Sequence, residues 1–151
     1  MMSNEEPAAG QLLPWVERVS AFCVDEWGLP PITGRVLGWL MICDPPEQSA
    51  GEIADTIQAS RASLTSNMRL LTSIGLVRRA RRPGERTAYY RIEDDAWQKV
   101  IQRKLDSLGA FNDIAEEGEA LAGRAGTDTA RIKVAKESLT WLRDIAVRNP
   151  R

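Results

Sequence analysis

A mostly helical chain carrying one small β-hairpin is the architecture this sequence predicts, and three features predict it. Apolar residues recur at three- and four-residue steps along most of the 151 residues. Caps and breakers (Gly, Pro, Ser) cut that pattern into short helices in the middle and longer ones at the ends. Between the middle and the C-terminal helices, two alternating segments flank Pro83-Gly84, a turn signal. Two short helices joined by a tight turn and followed by a hairpin make a winged helix-turn-helix. The flanking N- and C-terminal helices are expected to serve dimerisation.

The elements follow in order. Residues 1–10 read as a polar tail. Leu12 to Trp27 reads as a helix because Leu12, Val16, Val19, Cys23 and Trp27 share one side. Gly28-Leu29-Pro30-Pro31 stops it, and a second helix opens near Thr33 and runs through Val36, Leu37, Leu40 and Met41 to about Cys43. Asp44-Pro45-Pro46 ends that helix, since proline removes a donor and restricts the residue before it. Ser49-Ala50-Gly51-Glu52 has the spacing of a capping box, opening a short helix with Ile53, Ala54 and Ile57 on one side. After the break Gln58-Ala59-Ser60, Ser60 caps a helix from Arg61 to about Ile74, with Gly75 as its stop.

Leu76 to Ala80 and Thr87 to Ile92 are the expected strands, with Arg81 to Arg86 as the hairpin tip. Asp94 to about Ala122 and Asp128 to Arg148 are two helices split by Gly123 and Gly126. Trp97, Val100, Ile101, Leu105, Leu108 and Phe111 stripe the first; Ile132, Ala135, Leu139, Leu142 and Ala146 stripe the second. The expected organisation is an N-terminal tail and dimerisation helix (1–27), a winged helix-turn-helix (28–92) and C-terminal dimerisation helices (93–151), in one compact domain overall.

Charge is distributed unevenly. Residues 61–91 hold eight arginines and one acid, Glu85, for a net +7. The chain as a whole is −1, so everything outside that segment is −8. A basic island on an acidic body points to a polyanion held at one surface. There is no histidine, which removes the commonest general base and the commonest zinc ligand. Neither a paired-carboxylate nor a Gly-rich phosphate motif stands out. No catalytic residue, metal or cofactor is therefore expected, and the chain reads as a binder and not an enzyme. Cys23 and Cys43 lie in apolar helical contexts and read as buried free thiols. No apolar run approaches a membrane span, and Met1 to Gly10 lacks the pattern of a secretory signal, so a cytoplasmic protein is expected.

The island and the helix pattern coincide. Leu64, Met68 and Leu71 fall on one side of the helix from Arg61 and should face the core. Arg61, Ser63, Thr65, Ser66 and Arg69 then lie on or near the outer face, with Ser60 at the N-cap. Such a helix suits the major groove of double-stranded DNA, where arginine forks onto guanine and hydroxyls take donors or acceptors. Arg81, Arg82 and Arg86 at the hairpin tip suit the backbone or the minor groove, and Glu85 is placed to pin one of them by a salt bridge. The alternative reading of the same features is a winged-helix module that docks on another protein and does not bind DNA.

The segments Gly28-Leu29-Pro30-Pro31-Ile32-Thr33-Gly34-Arg35-Val36-Leu37-Gly38-Trp39-Leu40, Glu52-Ile53-Ala54-Asp55 and Ser60-Arg61-Ala62-Ser63-Leu64-Thr65-Ser66-Asn67-Met68-Arg69-Leu70-Leu71 resemble the GbsR-like branch of the MarR-type winged helix-turn-helix transcriptional regulators. The wing, Gly75 to Arg79 and Pro83 to Tyr90, is similar to that branch as well. Its Gly84-Glu85-Arg86 tip stands where the broader MarR pattern has Asp-x-Arg. The resemblance covers about residues 28–92. It implies a bacterial transcription regulator, dimeric through its terminal helices and often released from DNA by a small-molecule effector. The chain is read as a repressor, and a homodimer is expected to bind a pseudo-palindromic operator with half-sites about one turn, or a multiple, apart.

Five tryptophans, Trp15, Trp27, Trp39, Trp97 and Trp141, lie in helical segments. Their bland role is core and dimer packing. An aromatic box for a quaternary ammonium is the sharper reading, and the resemblance adds choline-linked control as one role of this branch. The candidate ligand-binding residues are Trp15, Trp27, Trp39 and Trp97.

Overall fold

The computed structural model describes residues 10–148; residues 1–9 of the expected tail, and residues 149–151, lie outside it. Helix α1 (Leu12–Trp27) ends at Gly28 in the left-handed conformation, φ +64°, which glycine adopts without a Cβ penalty. Helix α2 (Pro31–Ile42) begins two residues before Thr33, the expected start. Pro31 is its first residue, where the missing N–H costs nothing because that donor has no intrahelical partner anyway. The proline pair read as a stop thus both separates α1 from α2 and starts α2.

Strand β1 (Gln48–Ser49) precedes α3 (Ala50–Ile57), and the capping box forms as the spacing predicts. Ser49 Oγ accepts from the Glu52 amide at 3.2 Å, and Glu52 Oε2 accepts from the Ser49 amide at 2.8 Å. Helix α4 (Arg61–Ser73) is capped by Ser60, whose hydroxyl accepts from the Ser63 amide at 3.1 Å. Gly75, at φ +80°, turns the chain into β2 (Val77–Arg81), which pairs antiparallel with β3 (Ala88–Ile92). The short strand β1 was not expected. It adds Gln48 opposite Tyr90 and Ser49 opposite Tyr89, completing a three-stranded antiparallel sheet of order β1-β3-β2. The expected class, mostly α with a small wing, is the fold observed.

The residues divide into two compact units between Lys99 and Val100, where one compact domain was expected. In the first, Val16, Val36, Leu37, Ile53, Leu64, Leu71, Leu76 and Val77 are wholly buried, so α1 to α4 and the sheet share one core. Glycines set the spacing of α1 on α2. A methyl built on Gly34 would stand 2.7 Å from Ser20 Cα, and one on Gly38 would stand 3.3 Å from Val16 Cα. The backbones are this close because both positions lack a side chain. Cys23 and Cys43 are buried free thiols, as read, and burial pushes both thiols above their usual range.

Helix α5 (Ala96–Ala125) has its first turn in the first unit; its remainder and α6 (Ala130–Arg148) make up the described part of the second. Gly123, expected to help split the two helices, lies inside α5, and the break falls at Gly126, φ +72°. Leu105 and Leu108 of α5 line one cleft with Leu139, Leu142 and Ala146 of α6, and Lys136 Nζ pairs with Glu119 Oε2 at 2.8 Å. Little is enclosed: α6 has no buried residue. Phe111, Ile114, Leu121, Val134, Trp141 and Val147 are exposed.

The same substitution should act with opposite sign at two glycines. Gly34→Ala forces a methyl against backbone and should destabilise the chain by about 1–3 kcal/mol. Gly123→Ala meets nothing within 4 Å and should stabilise by about 0.5–1 kcal/mol through helix propensity. Urea unfolding of both variants checks the pair of signs.

Candidate nucleic-acid interface

Helix α4 is held from one side. Leu64, Met68 and Leu71 are buried, and α4 packs on α2 and α3. A polar bond adds orientation. Buried Thr33 donates its hydroxyl to Asn67 Oδ1, and Asn67 Nδ2 in turn donates to the Ser63 carbonyl at 2.7 Å. Rotating α4 about its axis would break this chain as well as the apolar contact.

Arg61, Thr65 and Arg69 follow at four-residue steps along the flank of that stripe, all exposed, with Ser66 on the side away from it. Neither arginine is in an ion pair among the described residues. Thr65 Oγ1 donates to the Arg61 carbonyl at 2.9 Å, and Ser66 Oγ to the Ala62 carbonyl at 3.4 Å. Their hydrogens point back along the helix, which leaves lone pairs for an outside donor. Ser63 and Ser60 differ from these. Ser63 is half-buried, with its hydroxyl 3.4 Å from Asn67 Nδ2, and Ser60 Oγ is occupied as the cap. Of the six residues expected on or beside the outer face, Thr65, Ser66 and Arg69 project to solvent, Arg61 is exposed but has its guanidinium beside Gly51 of α3, and Ser60 and Ser63 also have internal work.

The wing separates its arginines in the same way. Arg82 is tethered: its guanidinium carbon lies 3.7 Å from the centre of the Tyr89 ring, and its Nε is 3.4 Å from Glu47 Oε1. Glu85 does not pin an arginine as expected. Interaction with the Glu85 carboxylate, and to a lesser degree desolvation, raises the Tyr89 phenol above its usual range. Arg81 and Arg86 are exposed and form no ion pair among the described residues, and Gly84 turns the tip at φ +77°. Arg78 and Arg79 on β2, part of the basic island though not singled out as contacts, are exposed as well. Arg91 stands opposite Arg78 across the hairpin and is offset by Asp94 at 3.4 Å. Glu47 and Tyr89, which hold Arg82, carried no sequence signal as a pair with it.

The candidate ligand residues divide too. Trp15, Trp27 and Trp97 line a cleft of about 380 Å³ with Arg18, Phe22 and Met41. The Trp27 and Trp97 rings are 6.2 Å apart at 46°. Trp39 is not part of it; its Nε1 donates to Gln48 Oε1 at 3.0 Å, turned toward β1 by the need to satisfy a half-buried indole.

No protein-family model matches the chain. It is 26% identical over 139 residues to the HTH-type transcriptional regulator MmpR5 of Mycobacterium tuberculosis, covering 91% of this chain and 84% of that protein. The crystal structure of a transcriptional regulator matches with a TM-score of 0.72 and 26% identity, over 89% of this chain and 92% of the other. A MarR family transcription regulator is a more distant likeness, at 17% identity and TM-score 0.44, over 96% of this chain and 89% of that one. The chain is thus similar in sequence to an HTH-type transcriptional regulator and in fold to a solved transcriptional regulator. None of its described helices is long and apolar enough to cross a membrane.

Arg82→Ala should destabilise the chain by about 1 kcal/mol, because it removes a cation–π contact and a partly exposed ion pair together. Arg81→Ala and Arg86→Ala should each stay within about 0.5 kcal/mol of the parent. Denaturant unfolding of the three variants distinguishes the tether from the free side chains.

Proposed function

We propose that this chain is a cytoplasmic, MarR-type transcription regulator of the GbsR-like branch that binds double-stranded DNA and acts as a repressor. The observation that carries this reading is the two-sided order of α4. Its inner stripe is buried, and Thr65, Ser66 and Arg69, with Arg61 at the flank, are exposed, neither arginine in an ion pair among the described residues. Four such groups at helical spacing match what a major-groove reader needs. The outward lone pairs of Thr65 and Ser66 suit the amino groups of cytosine or adenine, while the arginines suit guanine or phosphate. Arg81 and Arg86 hold the backbone or minor groove from the wing, and Arg82 stiffens it. The Gly84-Glu85-Arg86 tip supports the GbsR-like branch. Binding, and not catalysis, is the role these groups support.

The same reading takes the chain as a homodimer on a pseudo-palindromic operator. The exposed Phe111, Ile114 and Leu121 of α5 and Val134 and Trp141 of α6 support it, since a two-helix unit enclosing so little leaves its apolar sides unpaid for unless a second copy covers them. Leu139 and Leu142 face α5 across the cleft they share, so outward residues such as Trp141 are the better sites for a disrupting charge. Sedimentation reads this directly, and a stable monomer at micromolar concentration contradicts it. The aromatic cleft is the proposed effector site. Arg18 in its lining opposes a quaternary ammonium and favours an aromatic or apolar organic anion, whose arrival should change tryptophan fluorescence and DNA affinity together. A panel of such anions that moves neither signal removes this role.

Sequences bound from a random duplex library test the function itself. Arg61→Ala and Arg69→Ala should weaken the enriched sequence, relaxing preference at individual base pairs by about 1–3 kcal/mol each. Arg81→Ala and Arg86→Ala should weaken enriched and unselected duplexes more nearly alike and flatten the salt dependence of binding. No enrichment, with no salt-dependent affinity for any duplex, contradicts the reading and leaves a protein-docking module.

A further inference from the structure

Gly51 occupies the second position of α3, inside its first turn, with an ordinary helical backbone. Alanine would favour the helix there, so glycine needs a reason other than φ. The structure supplies one from a different helix. A methyl built on Gly51 would stand 2.6 Å from Arg61 Nη2, 3.2 Å from Cζ and 3.6 Å from Nη1, and these are its three nearest neighbours. The guanidinium of Arg61, Nη2 foremost, occupies the space a side chain at Gly51 would take. Elsewhere Arg61 is exposed and has no ion pair among the described residues, so this contact is what the structure places against its head group.

We propose that Gly51 is a positioning residue: by carrying no side chain it seats the Arg61 guanidinium on α3 and so sets where that guanidinium meets the DNA. The inference rests on the reading of Arg61 as a DNA contact. A planar fork recognises base edges or phosphate only in a narrow set of orientations. A head group already laid on a helix loses less side-chain freedom on binding than one that sweeps through solvent. A methyl at Gly51 displaces only the end of a flexible side chain, so it moves the reader without damaging the fold. The role is therefore separable from stability.

The test is a double-mutant cycle in the full chain with Gly51→Ala, Arg61→Ala and the double variant. The probes are the duplex enriched by the parent protein from a random library and an unselected duplex, with thermal melting alongside. Gly51→Ala should melt at or above the parent and weaken the enriched duplex by about fivefold or more, and it should add nothing once Arg61 is alanine. Two results overturn the proposal: unchanged affinity in Gly51→Ala while Arg61→Ala binds weakly, or an equal further loss in the Arg61→Ala background. Arg61→Lys gives a second arm that does not depend on Gly51→Ala folding. It keeps the charge and loses the planar head, so it should bind nearly as weakly as Arg61→Ala; parental affinity overturns the proposal. If Arg61→Ala itself binds like the parent, the reading of Arg61 fails first, and that failure is visible without any Gly51 variant.

Discussion

Leu64, Met68 and Leu71 give one side of α4 to the core shared with α2 and α3, and the side facing away takes its composition from that commitment. An apolar stripe alone would let the helix roll by part of a turn at modest cost. The Thr33–Asn67–Ser63 chain of hydrogen bonds resists that roll, because buried polar groups lose their partners if α4 turns. Arg61, Thr65 and Arg69 are presented at fixed azimuth as a consequence. Helix α4 is held because its back is packed, while Thr65, Ser66 and Arg69 are left to solvent.

The wing uses arginine for two purposes that composition cannot separate. Arg82 is spent inside the protein, stacked on Tyr89 and paired with Glu47, where it ties the tip to the segment before β1. Arg81 and Arg86 are left to the solvent side. A net charge of +7 over residues 61–91 therefore overstates the charge free to meet a polyanion. Arg91 and Arg82 are partly neutralised by acids outside or at the edge of that segment, Asp94 and Glu47.

Much of this was legible in the sequence because its signals are local. The capping box, the Ser60 cap, the Gly75 stop and the inner stripe of α4 each sit within a few residues of the feature they set. What was not legible depends on distant partners. Strand β1 is two residues long and exists because β3 offers it an edge. The Arg82–Glu47 tether spans 35 positions. Trp39 looked like its fellow tryptophans until Gln48 gave its indole a partner. Gly51 read only as a spacer within the capping box, since nothing in that box announces that Arg61 will lie across it. That the N-terminal helix shares the core of the first unit was also not legible, since it depends on Gly34 and Gly38 bringing α2 against it.

If the outer side of α4 and the free wing arginines form one DNA-contacting surface, a bound duplex should cover both together. Amide hydrogen exchange of the full chain, with and without a saturating amount of the enriched duplex, tests it most directly. Protection should rise over residues 60–69 and 81–86 when duplex is present. Unchanged exchange in both segments while the duplex is bound, with protection gained elsewhere in the chain, would contradict it.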